Sequence, residues 1–379
     1  MKILVVIHEY PPVGGGGGKT AEDVCKGLAR RGHEVMVITP HCKGLPKREQ
    51  SGSLTIERVH CLRRFAYKAT LLDMGLFVTA GSLKGIQLMR QWKPDIIQAH
   101  FGVPAGAAAW LLSRWSGIPY VITAQLGDVP GGVPEKTDRV FKLIKPLTVP
   151  IWHDARIVVS SSNHIDRLTK KAYPGIHPVI IPNGFDFEQI RTVKFHTHKI
   201  PQIAFAGRLV IQKDPLQIIK TLSQIKDLAW KAVIAGDGPL YPQVKQAAHD
   251  AGLDERVQMI GWVDPQDVLQ IFNQSDILFM PSVQEGLPLA GLQGLASGLA
   301  MVLSSAGSNQ DLVLNGKNGE CIQIGDNNAY AVALRALIED PEKLASARQI
   351  SREHAKKFDL ELILDQYEAL FTTIQHEVK

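Results

Sequence analysis

Long apolar runs are missing from this 379-residue sequence. None approaches the ~18 uncharged residues a bilayer-spanning helix needs, so a helical membrane protein is not expected. Cysteine is scarce. Cys25, Cys42, Cys61 and Cys321 form no C-x-x-C pair and no metal-ligand spacing. Free thiols in a reducing cytoplasm are therefore expected, and no metal site. Low-complexity stretches and short fixed-period repeats are also lacking, which excludes disordered and solenoid classes. The opening apolar stretch, Ile3–Ile7, is too short for a signal peptide and reads as a buried first strand. No acidic residue stands at Thr39-Pro40-His41, where a dinucleotide oxidoreductase would hold its ribose. Glu285 is the only carboxylate that can be nominated with any specificity, whereas glycoside hydrolysis needs two flanking one bond.

What is present fits a globular protein of two middling domains, with 45% hydrophobic and 21% charged residues. The net charge of +5 conceals an asymmetry. Residues 1–194 hold 26 Lys+Arg against 15 Asp+Glu, or +11, and the remainder holds 16 against 22, or −6. The basic half either faces an anionic partner, a membrane surface or a phosphorylated acceptor, or carries scattered solvated charge.

Strand-like runs of Val, Ile and Leu alternate with amphipathic stretches throughout. Ile3–Ile7, Glu34–Thr39, Asp95–Ala99, Tyr120–Thr123, Ile157–Ser160 and Val179–Ile181 form a first series. Gln202–Ala206, Lys231–Ala235, Val257–Ile260, Asp276–Met280 and Ala300–Leu303 form a second. Continuous apolar runs suit parallel strands covered on both faces, so the fold class is α/β with two Rossmann-like, doubly wound domains. The polar run Phe195–Pro201 marks the boundary. The domains are expected at 1–195 and 196–357, with a C-terminal helix over 358–379, and ligands at the carboxyl ends of the strands.

Three segments carry chemistry. Pro11–Thr20 holds five consecutive glycines between the first strand and a helix near Ala21–Arg30. Its amides can meet an anion at the helix's positive end, with Gly16 and Gly17 the expected donor contacts. It narrowly misses the P-loop pattern, whose first glycine would fall on Val13. A turn without ligand is the alternative. Gly207-Arg208-Leu209 with Lys213 sets two cations at a strand end, where they can offset charge on a leaving diphosphate without a metal. Glu285-Gly286-Leu287-Pro288 follows another strand and opens a helix near Pro288. There a carboxylate can accept from sugar hydroxyls, or simply cap the helix.

In combination these segments resemble glycosyltransferase family 4. The likeness runs over nearly the whole chain, through Arg31-Gly32-His33-Glu34-Val35, Pro182-Asn183-Gly184-Phe185-Asp186, Gly207-Arg208 with Lys213, Ala235–Pro239, Gly261-Trp262-Val263 and Asn315–Gly319. It implies the retaining GT-B architecture, with two Rossmann-like domains facing a central cleft and the last helix returning to the first domain. Arg208 and Lys213 would hold the donor diphosphate. Backbone near Val263 would meet the base, Glu285 the transferred sugar, and Gly286, Leu287 and Pro288 the phosphates and sugar. Gln293 stands where the family has a ribose-binding Glu, and it lacks that charge. Gln125 stands where many relatives have His and cannot exchange a proton at neutral pH. His100 and Asp128 would position acceptor or donor, although a strand-end histidine satisfied within the fold reads equally well for His100.

The resemblance implies a hexosyl or other sugar transfer from a nucleotide sugar, a UDP-sugar by family frequency, with no cofactor or metal. A glycan or lipid-linked acceptor in surface polysaccharide, lipopolysaccharide or glycolipid assembly is expected, and no nucleic acid. A GT-B epimerase and a sugar- or lipid-binding scaffold with weakened catalysis are the alternatives. Arg63–Lys68 and the basic amphipathic stretch Lys136–Lys145 suit peripheral contact with the inner face of a membrane by a cytoplasmic protein, or an ordinary half-buried surface.

Overall fold

The structure is a computed structural model that describes residues 1–63, 69–190 and 198–378, leaving aside the side chains of 134–140, 142, 189, 190, 265, 266 and 378. The chain forms two compact units. The first is Met1–Gly184 with Leu360–Lys379, and the second is Phe185–Asp359.

In the first unit eight strands form one sheet: β1 (Lys2–Ile7), β2 (Glu34–Pro40), β3 (Arg48–Ser51), β4 (Leu54–Val59), β5 (Ile96–His100), β6 (Tyr120–Ala124), β7 (Ile157–Ser160) and β8 (Val179–Ile180). Their order is β3-β4-β2-β1-β5-β6-β7-β8. Every pairing is parallel except β3 with β4. Strands β1, β5 and β6 are buried almost throughout, which is why their sequences run apolar without alternation.

The second unit holds β9 (Gln202–Ala206), β10 (Lys231–Ala235), β11 (Val257–Gly261), β12 (Ile277–Met280), β13 (Ala300–Ser304) and β14 (Gly319–Ile322). The order β11-β10-β9-β12-β13-β14 reverses between β9 and β12. All pairings are parallel. This is the doubly wound order in which ligands bind beyond the strand ends at the reversal. In the first unit the corresponding reversal lies between β1 and β5.

The division between units falls at Gly184 and Phe185, ahead of the expected 195/196. Residues 185–190 join the second unit because the Phe185 N–H donates to the Phe358 carbonyl at 2.8 Å and Phe185 bridges to Asp359. Of the expected boundary run Phe195–Pro201, residues 195–197 lie outside the described residues. The last helix, Leu360–Val378, returns to the first unit, where Ile363, Leu364, Tyr367, Phe371 and Ile374 are buried in one core with Ile3, Val5 and Leu28. Arg31, at the end of the Gly16–Arg30 helix, fastens it through Glu361, Asp365 and Glu368, each at 2.7 Å.

Two features depart from the expected local structure. The first helix begins at Gly16 rather than near Ala21, so Gly16 and Gly17 belong to its first turn. The helix after Glu285 spans Leu289–Ala296, with Pro288 as its N-cap residue rather than inside its first turn.

Candidate functional site

Strands β9 and β12 are in register only over Ile203 with Ile277 and Ala204 with Leu278. Toward their carboxyl ends they part, and the chain after each carries the expected donor residues. After β9, Gly207 donates its N–H to the Ala235 carbonyl and Leu209 to the Asp237 carbonyl, both at 2.9 Å. That contact requires glycine at 236. Its φ is +142°, and a Cβ there would fall 1.9 Å from the Gly207 carbonyl oxygen. Arg208 stands exposed between these anchored residues, its carbonyl accepting from the Val210 N–H and its guanidinium without a hydrogen-bond or ion-pair partner among the described residues.

Lys213 closes a short 3-10 turn, Ile211–Lys213, and Asp214 at φ 43° turns the chain into the helix that starts at Pro215. The Lys213 Nζ donates to Glu285 Oε1 at 2.6 Å, with 17% of the lysine side chain and 4% of the glutamate's exposed. Gln212, one residue earlier, ties the same two loops. Its carbonyl accepts from the Val283 N–H at 2.9 Å and its Nε2 donates to the Gln284 carbonyl at 3.1 Å. Beneath them the Ser304 hydroxyl donates to the Ser282 carbonyl at 2.5 Å, and Asn309 Nδ2 donates to Ser304 Oγ at 3.2 Å. Sequence reading missed Gln212, Ser304 and Asn309. Only the position of Gln212 beside Lys213 offered any signal.

Leu287 packs into the core, so only its backbone can meet a ligand. Gln293, 6% exposed on the Leu289–Ala296 helix, has no side-chain partner among the described residues. Val263 is half-buried against the core after β11, and Trp262 beside it is 68% exposed. The second unit thus places Arg208, Lys213, Glu285, Gly286 and Pro288 on the loops flanking the sheet reversal. Val263 lies on the outer side, beyond β10.

The first unit gathers the other residues at the carboxyl ends of β1, β5 and β6. Gly15 caps the first helix without a side chain, leaving the amides of its first turn open. Gly17 packs tightly, for a Cβ there would lie 3.1 Å from the Phe101 ring and 3.8 Å from the Gln125 amide. Phe101 sits in the left-handed region at φ 77°, a strained backbone for a bulky residue. Its ring meets His8 edge-on at 4.6 Å. Lys19 is engaged within its own helix, its ammonium lying along it with Asp23 and with Glu22 at 3.1 Å.

His100 is buried, and neither ring nitrogen has a partner among the described residues. Burial lowers its pKa to about 4, so it is neutral at physiological pH. Asp128 spends both carboxylate oxygens on backbone, accepting from the Gln125 N–H at 2.8 Å and from the Gly102 N–H. Burial raises its pKa to about 7 against the pull of those amides. Asp128 therefore holds the β5 and β6 loops together. Arg63 is buried and donates to the His8 carbonyl at 3.0 Å, and the rest of Arg63–Lys68 lies outside the described residues.

Comparison with known proteins extends these local likenesses over the chain. Residues 14–189 match the family described as Glycosyltransferase Family 4, and residues 186–354 match Glycosyl transferases group 1. A glycogen synthase of Mycobacterium tuberculosis (strain CDC 1551 / Oshkosh) is 26% identical over 374 residues, covering 93% of this chain and 90% of its own. The Escherichia coli UDP-Gal:alpha-D-GlcNAc-diphosphoundecaprenol alpha-1,3-galactosyltransferase is 26% identical over 312 residues, covering 77% and 79%. Among solved structures, sucrose-phosphate synthase from Thermosynechococcus elongatus superposes with a TM-score of 0.85 at 18% identity, covering 99% of each chain.

Proposed function

The chain belongs to glycosyltransferase family 4, with the GT-B fold, and from that premise we propose that it transfers a sugar from a UDP-sugar to a hydroxyl acceptor with retention at the anomeric carbon. The observation that carries this reading is the Lys213–Glu285 contact at the β9/β12 reversal, with Arg208 unengaged beside it. As the glycosidic bond breaks, negative charge grows on the departing diphosphate and the sugar becomes oxocarbenium-like. Arg208 is free to grip phosphate bidentately, and Lys213, mostly shielded from water, supplies a second cation. Both act more strongly on the transition state than on the bound donor. Neither needs a metal to do so. Glu285, held by Lys213, can accept from hydroxyls of the transferred sugar.

The acceptor's proton has few places to go in the first unit. Gln125 does not titrate, His100 is neutral and buried, and Asp128 is committed to backbone. This supports a front-face path in which the leaving phosphate accepts that proton. The galactosyltransferase relative, whose name specifies UDP-Gal and a lipid diphosphate acceptor, supports the choice of UDP and of a lipid-linked or surface glycan acceptor.

The test is a panel of UDP-, GDP- and ADP-sugars, read by thermal shift and by slow hydrolysis. A UDP-sugar should raise the melting temperature and release UDP with EDTA present. Binding with release of a free epimerised sugar would sink the transfer reading, and indifference to the whole panel would sink nucleotide-sugar chemistry.

Peripheral membrane contact belongs to the same reading. No helix among the described residues is long and apolar enough to cross a membrane. On the Pro134–His153 helix, Leu143 and Leu147 are 82% and 74% exposed, one turn apart on one face with Lys145 between them in sequence. Such a face suits an anionic lipid surface. Flotation with phosphatidylglycerol vesicles but not with phosphatidylcholine vesicles is the expected result.

A further inference from the structure

We infer that Gln212 is the positioning residue that sets Lys213 against Glu285, an inference that rests on the transfer reading above. The reason lies in the sheet. Pairing between β9 and β12 ends at Ala204 and Leu278, before either strand does. No ladder therefore fixes the loop that carries Lys213 relative to the loop that carries Glu285, although the two are 72 residues apart in sequence. The ammonium–carboxylate contact cannot fix them either. A lysine on a flexible four-carbon stem follows a carboxylate through several positions.

Gln212 supplies what the sheet does not. Its main chain and side chain grip two successive residues of the other loop, Val283 through its carbonyl and Gln284 through its Nε2. The next residue on each side is Lys213 and Glu285. A slip of one residue would set Lys213 against Gln284 or Gly286, and neither offers a carboxylate. The main-chain bond survives any substitution at 212. The side-chain bond needs a donor at the reach of a Gln amide, so the brace is specific to this side chain. The residue acts through its neighbours and needs no contact with substrate.

Two variants separate this bond from packing. Gln212→Met keeps length and volume but has no donor. Gln212→Glu keeps the shape and turns a carboxylate toward the Gln284 carbonyl. For both, melting temperature should stay within about 2 °C of wild type, since one half-buried bond is lost. Turnover of the preferred nucleotide sugar should fall about tenfold to a hundredfold, the scale of a displaced catalytic group. UDP affinity should stay close to wild type, because Arg208 and Lys213 still reach a diphosphate.

The decisive measurement is a double-mutant cycle. If Gln212 works through the Lys213–Glu285 contact, Gln212→Met adds no further loss of turnover in a Glu285→Ala background, where that contact is gone. Wild-type turnover in Gln212→Met, or a full additive loss in the double variant, overturns the inference. A wild-type protein that neither binds UDP nor turns over any nucleotide sugar overturns the transfer reading itself, a result distinct from indifference at position 212.

Discussion

Lys213 and Glu285 form a shielded ion pair at 2.6 Å whose partners come from different loops of one sheet edge. Removing either leaves the other charge poorly solvated and uncompensated. Lys213→Ala should therefore cost about 1–3 kcal/mol of stability. It should also cost about 10²–10³ in turnover. Glu285→Gln should retain the fold better, because the amide oxygen still accepts from the ammonium. Denaturant titration beside donor hydrolysis checks both, and a Lys213→Ala protein with near-full activity would defeat the assignment.

Arg208 is the counterpart. Its guanidinium is exposed and unpaired among the described residues, so the fold does not depend on it. Arg208→Ala should unfold at the wild-type temperature while UDP affinity, measured calorimetrically, drops about tenfold or more. A lowered melting temperature with intact UDP binding would make this arginine structural.

Asp128 predicts a pH dependence of stability. Its folded pKa, about 7, lies above the unfolded value near 4, so the native state keeps a proton that the unfolded chain has lost. Stability contributed at this site is therefore lost as pH rises from about 4 through about 7. Relative to wild type, Asp128→Asn should gain stability across that window and show a flatter profile. His100 has the opposite sign, with a folded pKa of about 4 against about 6.5 unfolded, so its contribution is lost as pH falls through that interval. Denaturation of each variant against wild type from pH 4 to 8 separates the two slopes.

The glycine run should be unequal in its demands. A Cβ at Gly18 would fall 2.3 Å from the Glu9 carbonyl oxygen, whereas one at Gly15 meets nothing within 4 Å. Gly18→Ala should destabilise by about 1–3 kcal/mol. Gly15→Ala should leave the melting temperature unchanged. Gly17→Ala should reach donor or acceptor turnover through Phe101 and Gln125. Equal melting temperatures for the Gly15 and Gly18 variants would refute this reading of the loop.

Much of the fold was legible because its strands are buried on both faces and their sequences declare it. β3 and β4 were not foreseen. Arg48-Glu49-Gln50-Ser51 has no apolar signal, and Leu54–Val59 mixes charged and apolar residues whose partners are visible only in three dimensions. β14 was hidden by its brevity and its opening glycine. Arg208, Lys213 and Glu285 could be nominated from motif spacing, since that spacing follows from strand ends. The occupation of Asp128 by backbone could not, because an acidic residue reads the same whether its oxygens face a ligand or two amides. The buried, unpartnered nitrogens of His100 were equally invisible.

The return of Leu360–Val378 to the first unit has a consequence for synthesis. A ribosome delivers this helix only after the whole second unit, so Ile3, Val5 and Leu28 wait for Ile363, Leu364 and Phe371 until almost all of Met1–Lys379 has emerged. The second unit can close its core first, while the first remains a nearly finished sheet with one apolar face uncovered. The nascent chain therefore carries that uncovered apolar face until Leu360–Val378 has emerged to cover it.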